Sequence, residues 1–475
     1  MEAAARRRLV LVATILGSSI AFLDATVVNV ALPTIERDLH LGLVGEQWIF
    51  VGYSLALAAL YLPAGALGDR YGYVTTFVWG VVGFAAASIL AGAAPSEEVL
   101  IGARLIQGVF GALLTPGSLA LLRATYGKDA GRAIGSWTAW TGITTVAGPP
   151  VGGAIVEAAS WRWIFFLNLP LAAVTVVAVM AARDECRTEQ QERRLDVTGA
   201  VLAAVGIGAL VWGLVEGPQR GFGDASVIAG FAVSVLALAT FVAVEARSRA
   251  PMLPLSLFRI RELAVANAAT LFVYGALGGA GFYLVLFAQS VLGYSPFEAG
   301  FIVAPISLVL FLLASRFGRL ADRIGPRPFL VGGPVLIGVG LVLLTRLNGG
   351  SGYWTDVLPP LLVFSVGLAA TVPPITSTAL KAAPSQLSGI ASGVNTTVSR
   401  LGQLLAVALL GLVVTFVFDA SGTPLQRNER DPHARAESTQ AFQATMWGAA
   451  GLAFAGAAVS GFGFRRGRNA DVPLV

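Results

Sequence analysis

"GALGDRYG" (residues 65–72) reappears as "GRLADRIG" (residues 318–325), with five of eight positions identical. The two copies start 318 − 65 = 253 residues apart. In each, an Asp-Arg pair stands between glycines, the residues that let a chain turn sharply. Long apolar runs flank both copies. A turn repeated at this distance marks a duplicated unit, and the flanks identify the unit as a set of membrane helices. Parallel repeats of this kind build transporters, with the substrate site between the halves near mid-membrane.

The rest of the chain supports that reading. Of its 475 residues, 56% are hydrophobic and 12% charged, and the mean hydropathy is +0.75. That is too little charge to cover a soluble surface of this size. Apolar runs of about 20 residues match the thickness of a bilayer. Fourteen such spans are expected, the first over 9–31 and the last over 442–464. Alternating sides from a cytoplasmic amino terminus puts most of the 32 Lys and Arg on the inner face, as the positive-inside bias requires. Both termini are thus expected in the cytoplasm. The inner loops include 183–194, and 419–439 is the longest outer one. The opening "MEAAARRRLV" has no small-x-small cleavage site after its apolar run and reads as the start of a retained span.

The expected fold class is an all-α integral membrane protein. Two six-helix bundles in pseudo-twofold arrangement (1–184 and 256–475) flank two inserted helices (185–255), giving 14 spans. The pI near 9.6 follows from topology and does not point to nucleic acid. One cysteine and two histidines offer neither a disulfide framework nor a metal site. No phosphate-binding P-loop is present. No enzyme activity, metal or other cofactor is expected.

Chemistry enters where polarity interrupts the spans. Asp24 follows the uncharged run "LVLVATILGSSIAFL" (9–23). A carboxylate at membrane depth costs at least about 2.5 kcal/mol, so it must face water, be paired or carry a proton. At 1.5 Å per residue, Asp24 and Arg104 fall at similar depths on spans one and four, and a pair between them is possible. Gln107 lies one turn beyond Arg104. Arg400 is buried in span thirteen, where contact with substrate, a pair across the halves and satisfaction by carbonyls are equally open. Asn29, Gln107, Arg400 and Tyr283 are candidates for the substrate cavity. Asp69 and Asp322, with Gly65, Arg70, Gly72, Gly318, Arg323 and Gly325, form the two turns. Asp69 is placed to cap a helix of the other half starting near 385–389 when the inner side closes. "GPPVGG" (148–153) supplies Gly148 and Gly152 for close helix approach, and Pro149 and Pro150 to kink span five. Trp161 and Trp163 suit the outer membrane interface.

These motifs together resemble the 14-helix drug:proton antiporters of the major facilitator superfamily, over essentially the whole chain. "LDATVVNVALP" (23–33) is similar to that family's first-helix motif, "GALGDRYG" to the helix 2–3 turn, and "RLIQGVFGA" (104–112) to the helix-4 motif whose arginine is linked to proton coupling. "GPPVGG", with Gly148, Pro149, Gly152 and Gly153, is similar to the helix-5 antiporter motif. "WRWIFFLNLP" (161–170) and "VLGYSPFEAG" (291–300) also fit. Where the family's turn carries two basic residues after its last glycine, Tyr73 and Val74 follow Gly72. The resemblance implies a monomeric, multi-pass cell-membrane exporter of small, amphipathic or toxic organic molecules, driven by protons with Arg104 linked to the coupling; the carboxylate at membrane depth, Asp24, is the expected proton carrier. A proton-coupled importer, a lipid flippase and a non-transporting sensor are the alternatives.

Overall fold

The computed structural model describes residues 3–186, 196–248, 251–384, 387–417 and 432–464, and no strand occurs among them. The first half comprises α1 (Ala3–Leu39), α2 (Leu43–Tyr71), α3 (Tyr73–Gly92), α4 (Glu97–Tyr126) and α5 (Ala130–Ala158), then a broken sixth segment, α6 (Trp163–Phe166) and α7 (Asn168–Ala181). The inserted pair is α8 (Val197–Arg220) and α9 (Ala225–Arg247). The second half comprises α10 (Arg261–Ser290), the split pair α11 (Pro296–Ile302) and α12 (Ala304–Ile324), α13 (Arg327–Leu344), α14 (Leu358–Ala382), α15 (Ser388–Val417) and α16 (Pro432–Gly463).

Among the described residues, thirteen helical segments are long and apolar enough to cross a membrane. The fourteenth expected span corresponds to α5, which runs 29 residues but is diluted by Gly, Thr and Pro and is not one of the thirteen. Its helix continues through Pro149 and Pro150. Most of the 183–194 stretch, residues 418–431 and Ser385 lie outside the described residues. Residues 432–439, expected in a loop, are helical. Pro432 opens that helix, where its missing N–H costs nothing.

Local chemistry sets the boundaries. Gly72 ends α2 with φ 86° and ψ 137°, and Gly325 ends α12 with φ 90° and ψ 153°. The duplicated turn is thus duplicated in backbone conformation, at angles essentially reserved for glycine. Asp196 and Asp224 accept from Gly199 N and Ser226 N at the starts of α8 and α9. Ser295 and Glu298 form a reciprocal capping box on α11. Within the halves, small residues let backbones touch: a Cβ at Gly108 of α4 would lie 2.4 Å from Tyr53 O on α2.

The halves meet at one end and part at the other. The open end is where α1 begins and α16 finishes, since Tyr126 at the foot of α4 donates to Arg7 O, and Arg261 at the start of α10 donates to Gly463 O. At the far end Asn29 Nδ2 donates to Gly281 O (3.3 Å) and Gln289 Nε2 to Val30 O (2.9 Å), joining α1 to α10. Gln47 of α2 donates to Tyr283 Oη (3.0 Å) and to Val407 O of α15 (3.3 Å). The α5 motif completes the seam. A Cβ at Gly148 would strike Thr26 and one at Gly152 would strike Val27, both on α1; one at Gly153 would lie 2.2 Å from Pro296 O of α11. One helix therefore packs on its own half through two glycines and on the opposite half through a third.

Candidate functional site

Between the parted ends lies a cavity of about 1030 Å³. Its walls include Phe22 of α1, Tyr61 of α2, Thr115 of α4, Trp137 of α5, Ala200 of α8 and Thr396 of α15. Both halves and α8 of the inserted pair contribute. Asp69 and Asp196 stand at its mouth.

Asp24 is two residues beyond Phe22, on the opposite side of α1, and does not line this cavity. It is 1% exposed, as is Arg104. The Arg104 guanidinium donates to Asp24 Oδ2, forming the ion pair that their depths allowed. Gln107 Nε2 and Asn168 Nδ2 each donate to Asp24 Oδ1 at 3.2 Å. Arg104 also donates to Gln107 Oε1 (2.9 Å) and to Ile49 O (3.1 Å), and its Cζ lies 4.4 Å from the centroid of the Tyr53 ring. Ser88 accepts from both Gln107 and Asn168. Five helices converge here: α1, α2, α3, α4 and α7. A buried ion pair is tolerable only when its remaining hydrogen-bond capacity is met, and these amides meet most of it. Of the three conditions open to a carboxylate at this depth, Asp24 satisfies pairing.

Several expected residues sit elsewhere. Gln107 belongs to the Asp24 network, fully buried. Asn29 and Tyr283 are parts of the closed far end and not of the cavity wall; Tyr283 is fully buried and donates to Val407 O. Arg400 is partly buried, with its Cζ 5.9 Å from the Phe22 ring across the halves. Asp69 accepts from Tyr73 Oη, so the tyrosine that replaces the family's basic residue engages the turn carboxylate. Asp322 is exposed and accepts from Lys381 of its own half at 2.7 Å. Arg70 and Arg323 are exposed beside their turns. A Cβ at Gly65 would meet open space, and one at Gly318 only Pro373 Cβ, at 3.7 Å.

One expectation is corrected. Trp161 is 2% exposed and so does not face lipid: its Nε1 donates to Asp38 Oδ2 (2.8 Å), and Arg162 bonds the same carboxylate (2.6 Å). An indole with a carboxylate partner can pack inside the protein because its one polar group is satisfied. Trp163, 58% exposed, keeps the outward position. Ser88 and Asn168 went unrecognised. An Asn inside the apolar run "FFLNLP" was the available signal. Glu46, buried beside Gln47 at the far end, was also missed.

The sequence profile of the Major Facilitator Superfamily matches residues 14–407. The tetracenomycin C resistance and export protein of Streptomyces glaucescens is 36% identical over 406 residues, covering 85% of this chain and 75% of that one. The multidrug resistance protein Stp of Mycobacterium tuberculosis (strain CDC 1551 / Oshkosh) is 37% identical over 430 residues, 90% of this chain and 80% of that one. Among solved structures, a bacterial homologue of the lysosomal transporter Spinster, inward-facing and unoccupied, superposes with a TM-score of 0.67 at 16% identity, covering 96% of this chain and 97% of that one. The POT family transporter PepTSo gives 0.69 at 15% identity, with the same coverage. These two share the fold.

Proposed function

The chain belongs to the Major Facilitator Superfamily, and on that premise we propose that it is a proton-coupled exporter of small organic molecules such as drugs or antibiotics. It is a transporter and not an enzyme, a multi-pass membrane protein whose relatives are antibiotic and multidrug resistance proteins. The coupling, the direction and the substrate class are the proposal. So are a cell-membrane location, cytoplasmic termini and a monomer.

The observation that carries it is the position of the Asp24–Arg104 pair. It is sealed from water directly behind the wall of a cavity that opens at one end only. With the terminal end in the cytoplasm, this is an inward-open state with Asp24 ionised and held by Arg104. Substrate enters from inside, the halves rock, and the helices around Asp24 separate enough to admit a proton from outside. Protonation weakens the hold of Arg104, and substrate leaves. The return step delivers the proton to the cytoplasm. One proton moving through about 100 mV and one pH unit releases about 2.3 plus 1.4 kcal/mol. That sustains a gradient of roughly several hundred-fold for a neutral substrate.

Reconstituted Asp24→Asn protein tests the reading. It should lose transport driven by a pH gradient, yet still exchange labelled for unlabelled substrate across the membrane. Normal proton-driven efflux by the variant would refute the role of Asp24.

A further inference from the structure

One cation at the centre of the molecule is not used by the Asp24 machinery. Arg400 lies twelve residues into α15, about 18 Å from the start of that helix. It has no hydrogen bond or ion pair among the described residues. Helix α15 contains no Asp or Glu. Asp24, the carboxylate at similar depth, is taken by Arg104, Gln107 and Asn168. The two at the mouth are also engaged, Asp69 by Tyr73 and Asp196 as the cap of α8.

Arg400 shares a helical face with Gly393 and Thr396, both of which line the cavity. Its guanidinium Cζ lies 5.9 Å from the centroid of the Phe22 ring, itself part of the cavity wall. That is the outer limit of a cation–π contact, and it leaves the N–H donors of the guanidinium unmet. The hydroxyls of Tyr53, Tyr61 and Tyr274 are within its electrostatic reach. Arg400 is not itself a wall residue of the cavity; it stands partly exposed one turn beyond Thr396 on the face that supplies the wall. An unpaired cation at membrane depth is tolerated only when it meets water or a counter-charge. The guanidinium fork is shaped to hold a carboxylate with two parallel hydrogen bonds. In the adjoining cavity wall, the rings of Phe22, Tyr61 and Trp137 supply flat apolar surface.

We infer that Arg400 receives the acidic group of an aromatic organic acid, so that the cavity selects planar carboxylates over neutral or cationic molecules of the same shape. This deepens the export reading and relies on it only for direction. Outward movement of such an anion against an inward proton carries two charge equivalents per cycle, so transport responds to voltage twice as steeply as for a neutral cargo.

The test is equilibrium binding to the purified full-length chain, using 2-naphthoate, 2-naphthamide and 2-naphthylmethylammonium as matched probes. Naphthoate should bind about tenfold or more tightly than naphthamide, the size of a charge-assisted hydrogen bond. In Arg400→Gln that ratio should fall to about one with naphthamide binding unchanged, and Arg400→Lys should restore part of it. Equal binding of the three probes, a preference for the ammonium probe, absence of saturable naphthoate binding, or an unchanged ratio in a monodisperse Arg400→Gln protein would each overturn the inference. Binding is read without a proton gradient. A protein that shows the selectivity but fails the Asp24→Asn transport test therefore refutes proton-coupled export and leaves this assignment standing.

Discussion

Gln47 on α2 donates its amide to the hydroxyl of Tyr283 on α10, 3.0 Å away, and to Val407 O on α15. One side chain of the first half thus ties two helices of the second. Tyr283 in turn donates to the same Val407 carbonyl. Removing the amide should release the far end. A net hydrogen bond is worth about 0.5–1.5 kcal/mol, so Gln47→Leu should shift the balance toward far-end-open forms by roughly threefold to tenfold. Spin labels at Ala159 and Gly350, in a background with Cys186 replaced, report this as a growing long-distance population.

The Asp24–Arg104 pair invites a double-mutant cycle. Arg104→Leu alone leaves a buried carboxylate unpaired and should cost about 3–5 kcal/mol. Asp24→Asn added to it should recover much of that loss, because the charge that needed a partner is gone. Thermal unfolding in detergent reads the difference. Additive effects would mean that the two side chains do not share their energy.

The seam at α5 predicts a contrast between two conservative changes. Gly153→Ala places a methyl group 2.2 Å from a backbone oxygen of α11, which cannot move without displacing the other half. It should reduce transport sharply while the protein still inserts. Gly65→Ala meets open space within a helix and should be neutral or stabilising by up to about 1 kcal/mol. Vesicle transport and unfolding temperature, measured side by side, distinguish them.

The duplicated turns predict equal penalties. Gly72 and Gly325 have nearly the same φ, so alanine at either should cost about 1–3 kcal/mol. At Gly325 the added carbon would meet open space, so the backbone alone sets the cost there. Unequal losses on unfolding would show that the two turns are equivalent in sequence only.

Much of this architecture is legible without coordinates. The 65–72 and 318–325 repeat gives the two halves, and counting residues from the membrane ends puts Asp24 level with Arg104. What cannot be read is rotation about the helix axes. Lipid is as apolar as a helix interior, so no polar stripe marks the face that a membrane helix turns inward. Asn29 and Tyr283 were therefore indistinguishable from cavity residues, although both serve the closed end. Asn168 was hidden for the same reason, and only the convergence of α3, α4 and α7 on Asp24 gives it a role. Trp161 shows a different gap, since its partner Asp38 is 123 residues away on another helix.

The inserted helices are more than a tether. Trp48 of α2 donates to Glu216 of α8 at 2.9 Å, while Ala200, Val201 and Ala204 of the same α8 line the cavity and α8 also touches α15. A tilt of the halves must therefore shear α8 against at least one of its two neighbours in the halves, α2 or α15.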